Sequence, residues 1–283
     1  MKDLGKVFKE LRESRKISLR KATGDDFSAS LLSRFENGKS EISAQKLFIA
    51  LENIHANVEE LLFLARGFHQ DANVEFRNRM FEAVNPQDLT SLRTLYQREC
   101  QQIPFSKDKQ QHLLNAILIK SYMKAIDDTV VLTSEEERAL HDYLFSVDIW
   151  GHYELLFFSS CSPLLSAALY TKYTREMVRK SDFLMEMSGN RNIFHTMLLN
   201  GFLASIECED FTNARYFKRV IEEHFYRENE TYFRIVYLWA EGLFDTKKGR
   251  IEEGRKKMED AVRVFEIIGC SKSAAYYKKT SDS

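Results

Sequence analysis

Residues 31–62 read LLSRFENGKSEISAQKLFIALENIHANVEELL, and the punctuation inside that run decides how the first part of the chain folds. Asn37-Gly38 is a helix stop, because the position just past a helix C-terminus favours positive φ and glycine adopts it without a Cβ penalty. Upstream of it, Ser28 is a suitable N-cap and Leu31, Leu32 and Phe35 make one buried stripe, which predicts a helix over Ser28–Phe35. Ala29, Ser30, Ser33 and Arg34 are left facing outward. Downstream, Ile42, Leu47, Ile49–Leu51 and Ile54 predict a fourth helix, and Val58, Leu61, Leu62 and Leu64 a fifth.

Toward the N-terminus, Leu4, Val7, Phe8 and Leu11 fall at i, i+3, i+4 and i+7, one apolar face of a first helix over about residues 3–16. Ser18 caps a short second helix, Leu19–Thr23, which Gly24 and Asp25-Asp26 end. The outward set on the third helix consists of small or hydrogen-bonding residues and one arginine. A helix that enters a DNA major groove needs such a face, since bulky apolar groups would neither fit nor read base edges.

The charge distribution agrees. Residues 1–39 hold ten Lys/Arg against six Asp/Glu, a balance of +4, while the whole chain is −1; the remaining 244 residues therefore carry −5. This is a basic N-terminal segment on an acidic body.

The run from Leu31 to Leu62 resembles the third to fifth helices of the phage-repressor type (XRE-like) helix-turn-helix, in which Ser-Arg-aromatic-Glu-Asn-Gly precedes an amphipathic helix and a short loop. The resemblance implies that Ser28–Phe35 is the recognition helix, with Ala29, Ser30, Ser33 and Arg34 reading bases. It also implies that Lys39 and the end of the first helix, Arg12, Arg15 and Lys16, lie near phosphates, with Ser28 in the same role. Leu19 stands where many members carry Gln, and the turn before the third helix is one residue shorter, so the phosphate contact there passes to Arg20 or Lys21. The competing reading is a basic protein-docking module in which Arg34 pairs with Glu36 or Glu10.

The rest of the chain is helical by composition and by period. Eleven Gly and three Pro in 283 residues are few, which points to long helices with short connections. Helix starts recur near Gln110, Gly151, Arg191 and Thr231, spaced by 41, 40 and 40 residues. A second helix follows in each unit, signalled by the capping box Thr133-x-x-Glu136, by Ser162-Pro163 and by Asp210. Asn200-Gly201-Phe202-Leu203 and Glu241-Gly242-Leu243-Phe244 precede second helices whose small contact residues are Ala214 and Gly254. One such pair cannot bury its apolar side alone, so neighbours stack into a right-handed solenoid with one concave face. The pattern resembles degenerate tetratricopeptide (TPR) repeats.

A concave face of first helices is a peptide groove by geometry. Its expected lining is Tyr153, Ser159 and Ser160, then Asn192, His195, Thr196 and Asn200, then Tyr232, Arg234, Val236 and Tyr237. Asn200 either satisfies a helix neighbour or meets a peptide backbone, whose alternating N–H and C=O groups suit an amide. Arg234 pairs with a peptide carboxylate or with a surface acid, and His195 reads as structural. The expected organisation is all-α: 1–66 the helix-turn-helix domain, 67–108 a linker with the first helices of the repeat domain, and 109–283 the repeats, for peptide binding and dimerisation.

As a whole the chain resembles the Rgg/GadR/MutR regulators, within the class of cytoplasmic peptide-pheromone receptors. That resemblance implies a homodimer whose N-terminal pair binds palindromic double-stranded promoter DNA and whose repeats bind a short, hydrophobic signalling peptide in quorum sensing. The final helices, around Met258–Phe265 and Ala274–Tyr277, are the candidate dimer contact. The alternative is a constitutive regulator whose repeats dock a protein.

Other classes find no support. There is no Gly-rich phosphate loop, HExxH or GxSxG, and the seven histidines are scattered, so neither enzyme, metal nor cofactor is expected. Cys100, Cys161, Cys208 and Cys270 have no CxxC spacing and read as reduced thiols. No signal core opens the chain, and apolar runs such as Leu155–Phe158 are too short for a bilayer, so a soluble cytoplasmic protein without membrane contact is expected.

Overall fold

Backbone groups at helix ends need partners, and this chain supplies them from its own side chains at one helix after another. The computed structural model describes residues 3–69, 72–84, 88–181 and 187–281. Among these residues there are sixteen α-helices and one 3-10 turn, and no strand. The chain divides into two compact units, residues 1–82 and 83–283.

The first unit holds α1 (Leu4–Ser14), α2 (Leu19–Thr23), α3 (Ala29–Glu36), α4 (Ala44–Asn53) and α5 (Val58–Ala65). Their N-caps are Asp3, Ser18, Ser28, Ser43 and Asn57, and each side chain accepts a backbone N–H two or three residues on. Such a cap contributes about 1 kcal/mol. At the end of α3, Gly38 has φ +67, its N–H donates to Phe35 O and that of Lys39 to Arg34 O, the paired bonds of a Schellman motif. Phe8, Leu32, Ala50, Leu51, Ile54 and Leu61 form the core. Gly5 lets α1 press onto the end of α3: a Cβ there would overlap the Phe35 carbonyl, lying 2.8 Å from its carbon.

After α6 (Ala72–Val84), the second unit runs through α7 (Leu89–Gln102), α8 (Lys109–Lys124), α9 (Ser134–Ser146) and α10 (His152–Cys161). A 3-10 turn (Ser162–Leu164) leads to α11 (Ala167–Ser181), α12 (Ser188–Glu207) and α13 (Phe211–Glu223). The final helices are α14 (Thr231–Lys247), α15 (Ile251–Ile267) and α16 (Ser271–Ser281). The first helices pack on one another in series, α8 on α10, α10 on α12 and α12 on α14, so they form one layer. The second helices α9, α13 and α15 pack on their own partners, and α11 packs on α12. This is the stacked-hairpin arrangement expected from the forty-residue period.

The Thr133 capping box is closed in both directions, and Asp210 caps α13. Ser162-Pro163 is a correction: it opens only the 3-10 turn, which ends where Leu165 turns extended. Ser166 then offers its hydroxyl to the N–H of Leu169 at the start of α11.

Close packing within the hairpins rests on glycine. A Cβ on Gly242 would stand 2.6 Å from the Gly254 carbonyl oxygen, and one on Gly254 would stand 2.5 Å from that of Gly242, so α14 and α15 touch backbone to backbone. In the preceding hairpin the space left by Gly201 is filled by the Phe217 ring. Buried charge ties the other joints. Lys120 donates to Glu136 at 2.5 Å and to Val131 O, while the Tyr96 hydroxyl and the Thr133 N–H also bond Glu136. Burial pushes the Glu136 carboxyl up, but these donors more than offset it and hold it below the usual range.

Gly254→Val is therefore expected to force α14 and α15 apart and to cost about 1–3 kcal/mol, a typical price of overpacking. A thermal melt should show a lower midpoint, whereas Gly269→Ala, at a site with open space around it, should show only the smaller effect of its positive φ.

Candidate nucleic-acid interface and ligand cleft

On α3 the residues expected to read bases divide cleanly from those that pack. Leu32 and Glu36 are buried. Ser30 and Arg34 are exposed, and Ala29 and Ser33 half-exposed. Among the described residues Arg34 makes no ion pair, because the carboxylate beside it is taken by another residue. Arg12 on α1 donates through Nε and Nη2 to the two carboxylate oxygens of Glu36, at 2.6 and 2.7 Å, and through Nη1 to Ile17 O at 2.8 Å. Both partners are buried. The Glu36 hydrogen bond raises the Arg12 guanidinium further above its ordinary value, against the effect of burial.

This corrects the phosphate role expected for Arg12, whose donors are used up inside the unit. Arg15 is half-buried and joins α1 to α5 through Glu60 at 2.7 Å, with a further bond to Leu11 O. The remaining expected phosphate contacts stand at the surface. Lys16, Arg20, Lys21 and Lys39 are exposed, as is Ser28, whose hydroxyl caps α3 by accepting the Leu31 N–H. Lys16 takes φ +55, which turns the chain from α1 toward α2.

In the second unit Asn192, Thr196 and Asn200 recur every four residues and so share one face of α12. Asn192 and Asn200 are exposed; the Thr196 hydroxyl donates to Asn192 O. Asn200 opens on a cleft of about 340 Å³ with Leu203 and Glu207 from α12, Leu165, Tyr170 from α11 and Tyr276 from α16. Tyr170 is buried and donates to Met197 O. The cleft thus offers an amide, aliphatic and aromatic surface, and one carboxylate.

The other expected lining residues are not brought together there. Tyr153 is half-buried, stacks on Phe157 and accepts from Gln111 Nε2 at 3.0 Å. Tyr232 is exposed with its ring against Phe265 of α15. Arg234 lies over the Phe225 ring at 5.2 Å and donates to Tyr226 O. Tyr237 is a correction, being only 5% exposed: its hydroxyl donates to Glu222 and accepts from Lys218, closing the joint between α13 and α14. Val236 is buried as well. Leu165, Glu207 and Tyr276 were missed, because they come from a turn, a helix end and the last helix, which no repeat period aligns.

His195, placed on the groove lining by the sequence and read there as structural, is withdrawn from the surface. It is fully buried beside Tyr226, Phe194 and Phe233, and neither ring nitrogen has a hydrogen-bond partner among the described residues. Next to it Arg191 holds Glu230 through two bonds, at 2.6 and 3.2 Å. Burial, aided by the Arg191 charge, pushes the His195 imidazole down to about 4.

Residues 95–279 match the family model described as HTH-type transcriptional regulator Rgg, C-terminal domain. A crystal structure of a serine-for-cysteine variant of the Streptococcus dysgalactiae SHP pheromone receptor Rgg2 is similar over 100% of this chain and 99% of its own, at 26% identity with a TM-score of 0.86. The PrgX/cCF10 complex is similar over 99% of this chain and 91% of its own, at 14% identity with a TM-score of 0.72, a likeness of fold. No helix among the described residues is long and apolar enough to cross a membrane.

Two outcomes follow from the buried groups. Arg12→Ala leaves Glu36 charged, buried and unpaired, and should destabilise the first unit by about 3–5 kcal/mol in a thermal or denaturant melt. His195 binds a proton in the unfolded chain below its ordinary 6.5 but in the folded protein only near 4, so its stabilising effect is complete above about 6.5 and is lost as pH falls toward 4. The loss should be on the order of 3 kcal/mol, and His195→Phe should remove that part of the pH dependence of stability.

Proposed function

The chain belongs to the Rgg family of HTH-type transcriptional regulators, and from that premise we propose that it binds promoter DNA sequence-specifically under the control of a short, hydrophobic signalling peptide, in quorum sensing. The observation that carries the peptide reading is the cleft beside Asn200. Its lining suits an extended apolar peptide: the Asn200 amide donates to and accepts from the backbone while Leu165, Leu203 and Tyr276 receive side chains. The pheromone receptor at 26% identity over the full length supports the same reading.

On the DNA side, α3 enters the major groove. Arg34 donates to a guanine edge, Ser30 and Ser33 hydrogen-bond to bases, and Ala29 packs on a thymine methyl. Lys16, Arg20, Lys21, Lys39 and Ser28 hold phosphates and set the register without reading sequence. One short helix buries too little to be selective. The protein accordingly acts as a homodimer on a palindrome, with α15 and α16 as the candidate contact, and two half-sites add their free energies. Peptide controls DNA binding to the extent that it binds one arrangement of the dimer better than another. The domain division follows: residues 1–66 read DNA, 67–108 connect, and 109–283 bind peptide and dimerise.

Binding to a promoter library is expected to change its sequence preference in Arg34→Ala. Lys39→Ala should weaken all sequences alike and reduce the salt slope by about one. Equal losses on specific and random DNA for Arg34→Ala would reject its base-reading role. Labelled hydrophobic peptides should bind the full chain saturably at micromolar concentration, and Asn200→Ala should weaken them about tenfold, the effect of one or two lost hydrogen bonds. The absence of saturable binding across the library would reject the peptide reading, and a monomer at those concentrations in sedimentation would reject the dimer.

A further inference from the structure

The second helices α11 and α13 both pack on α12 and leave a groove of about 550 Å³ between them. Its charge is opposite to that of the body it lies on. Lys172, Arg175 and Arg179 line it from α11, and Arg219 stands beside it on α13, whereas residues 40–283 together carry −5. The Arg175 guanidinium lies 4.4 Å from the Tyr216 ring centroid and donates from Nη1 to Asn213 Oδ1 at 3.0 Å. Arg219 approaches the same ring at 5.8 Å, and the Lys172 ammonium lies 5.1 Å from the Phe145 ring. Among the described residues neither Lys172 nor Arg175 makes an ion pair. The one carboxylate in the lining, Glu176, is already bonded by Arg179, with Lys180 at 3.6 Å.

We propose that this groove docks an acidic helical segment of a partner protein, distinct from both the DNA and the signalling peptide. The α11 cations stand at i, i+3 and i+7, so they are offset along the helix by about 4.5 and 6 Å at 1.5 Å per residue. A helix carrying carboxylates at i, i+4 and i+7 has the same two offsets in reverse order, so it matches that ladder when it runs antiparallel to α11. The centre of the groove is an arginine-flanked tyrosine with an amide beside it. Arginine and tyrosine dominate the hot spots of protein interfaces, and planar guanidiniums already held on a ring lose little freedom when a carboxylate arrives.

Duplex DNA fits this site less well. A nucleic-acid strand carries a charge on every nucleotide and cannot leave one out, so its backbone crossing the groove would meet the Glu176 carboxylate, which the hydrogen bond from Arg179 holds below the usual carboxylate range. A peptide can leave that position uncharged. A regulator bound to DNA through α3 could in this way contact a second protein through α11 and α13 while its cleft remains free for ligand.

The test uses the full chain and a fluorescein-labelled synthetic helix with Glu at i, i+4 and i+7 on one face, against its Gln counterpart and a random DNA duplex. Anisotropy should show saturable binding of the Glu helix, weakening with salt, and none of the Gln helix. Arg175→Glu and Lys172→Glu should each reduce affinity at least about tenfold, as like-charge juxtaposition at an interface does. Lys172→Glu leaves the Arg175–Asn213–Tyr216 contacts in place, and melting of both variants checks that they fold. Promoter DNA and hydrophobic peptide should bind these variants as they bind the wild type, so failure of this site is separable from failure of the regulatory reading. No saturable binding of the Glu helix, or equal binding by Arg175→Glu, overturns the proposal; random duplex that depends on Arg175 while the Glu helix fails to bind assigns the groove to nucleic acid instead.

Discussion

A carboxylate set against a cation recurs at the joints of this protein: buried Glu36 with Arg12, buried Glu136 with Lys120, half-buried Glu230 with Arg191, and buried Asp245 with Arg250 and Lys257. Each joins a helix to a neighbouring helix or to the loop leading into one. Removing both partners of such a pair is often harmless to stability, while removing one strands a charge in a low dielectric. Their effect is on geometry. An apolar helix face tolerates sliding, whereas a two-point guanidinium–carboxylate contact allows one register. In the first unit that register sets how α3 is presented, and in the repeats the two-point Arg191–Glu230 contact ties α12 to the segment leading into α14.

The same physics divides the basic residues into two populations. Arg12 and Arg191 face inward because a carboxylate waits for each of them, Glu36 and Glu230. Lys16, Arg20, Lys21, Arg34 and Lys39 remain outside, where their charge is available to a polyanion. Counting Lys and Arg along the first 39 residues identifies a basic segment but cannot separate these populations. The Arg34–Lys39 stretch shows the division in miniature: Arg34 points out, Glu36 points in, Asn37-Gly38 closes the helix and Lys39 returns to solvent.

The repeat unit is packed with a comparable economy. Glycine at 201, 242 and 254 lets paired helices approach, and the apolar faces are consumed between them. What remains open on α12 is the polar row Asn192–Thr196–Asn200, which runs toward a cleft completed by a turn and by the last helix. The groove between α11 and α13 is a second opening, basic where the first is amide-rich and apolar. The two openings differ in chemistry although α11 contributes to both.

Much of this was written in local patterns. Apolar spacing, caps such as Ser18, Ser28 and Thr133, and the glycine after α3 determined the helices, their ends and the forty-residue period, because those depend on backbone geometry within a few residues. The outward face of α3 was legible for the same reason. The inward turn of Arg12, the closure of Tyr237 between α13 and α14, and the gathering of Leu165, Asn200 and Tyr276 were decided only by tertiary structure. Each depends on a partner 15 to 111 residues away in sequence, and for a long or amphipathic side chain that partner determines whether it meets solvent or the core.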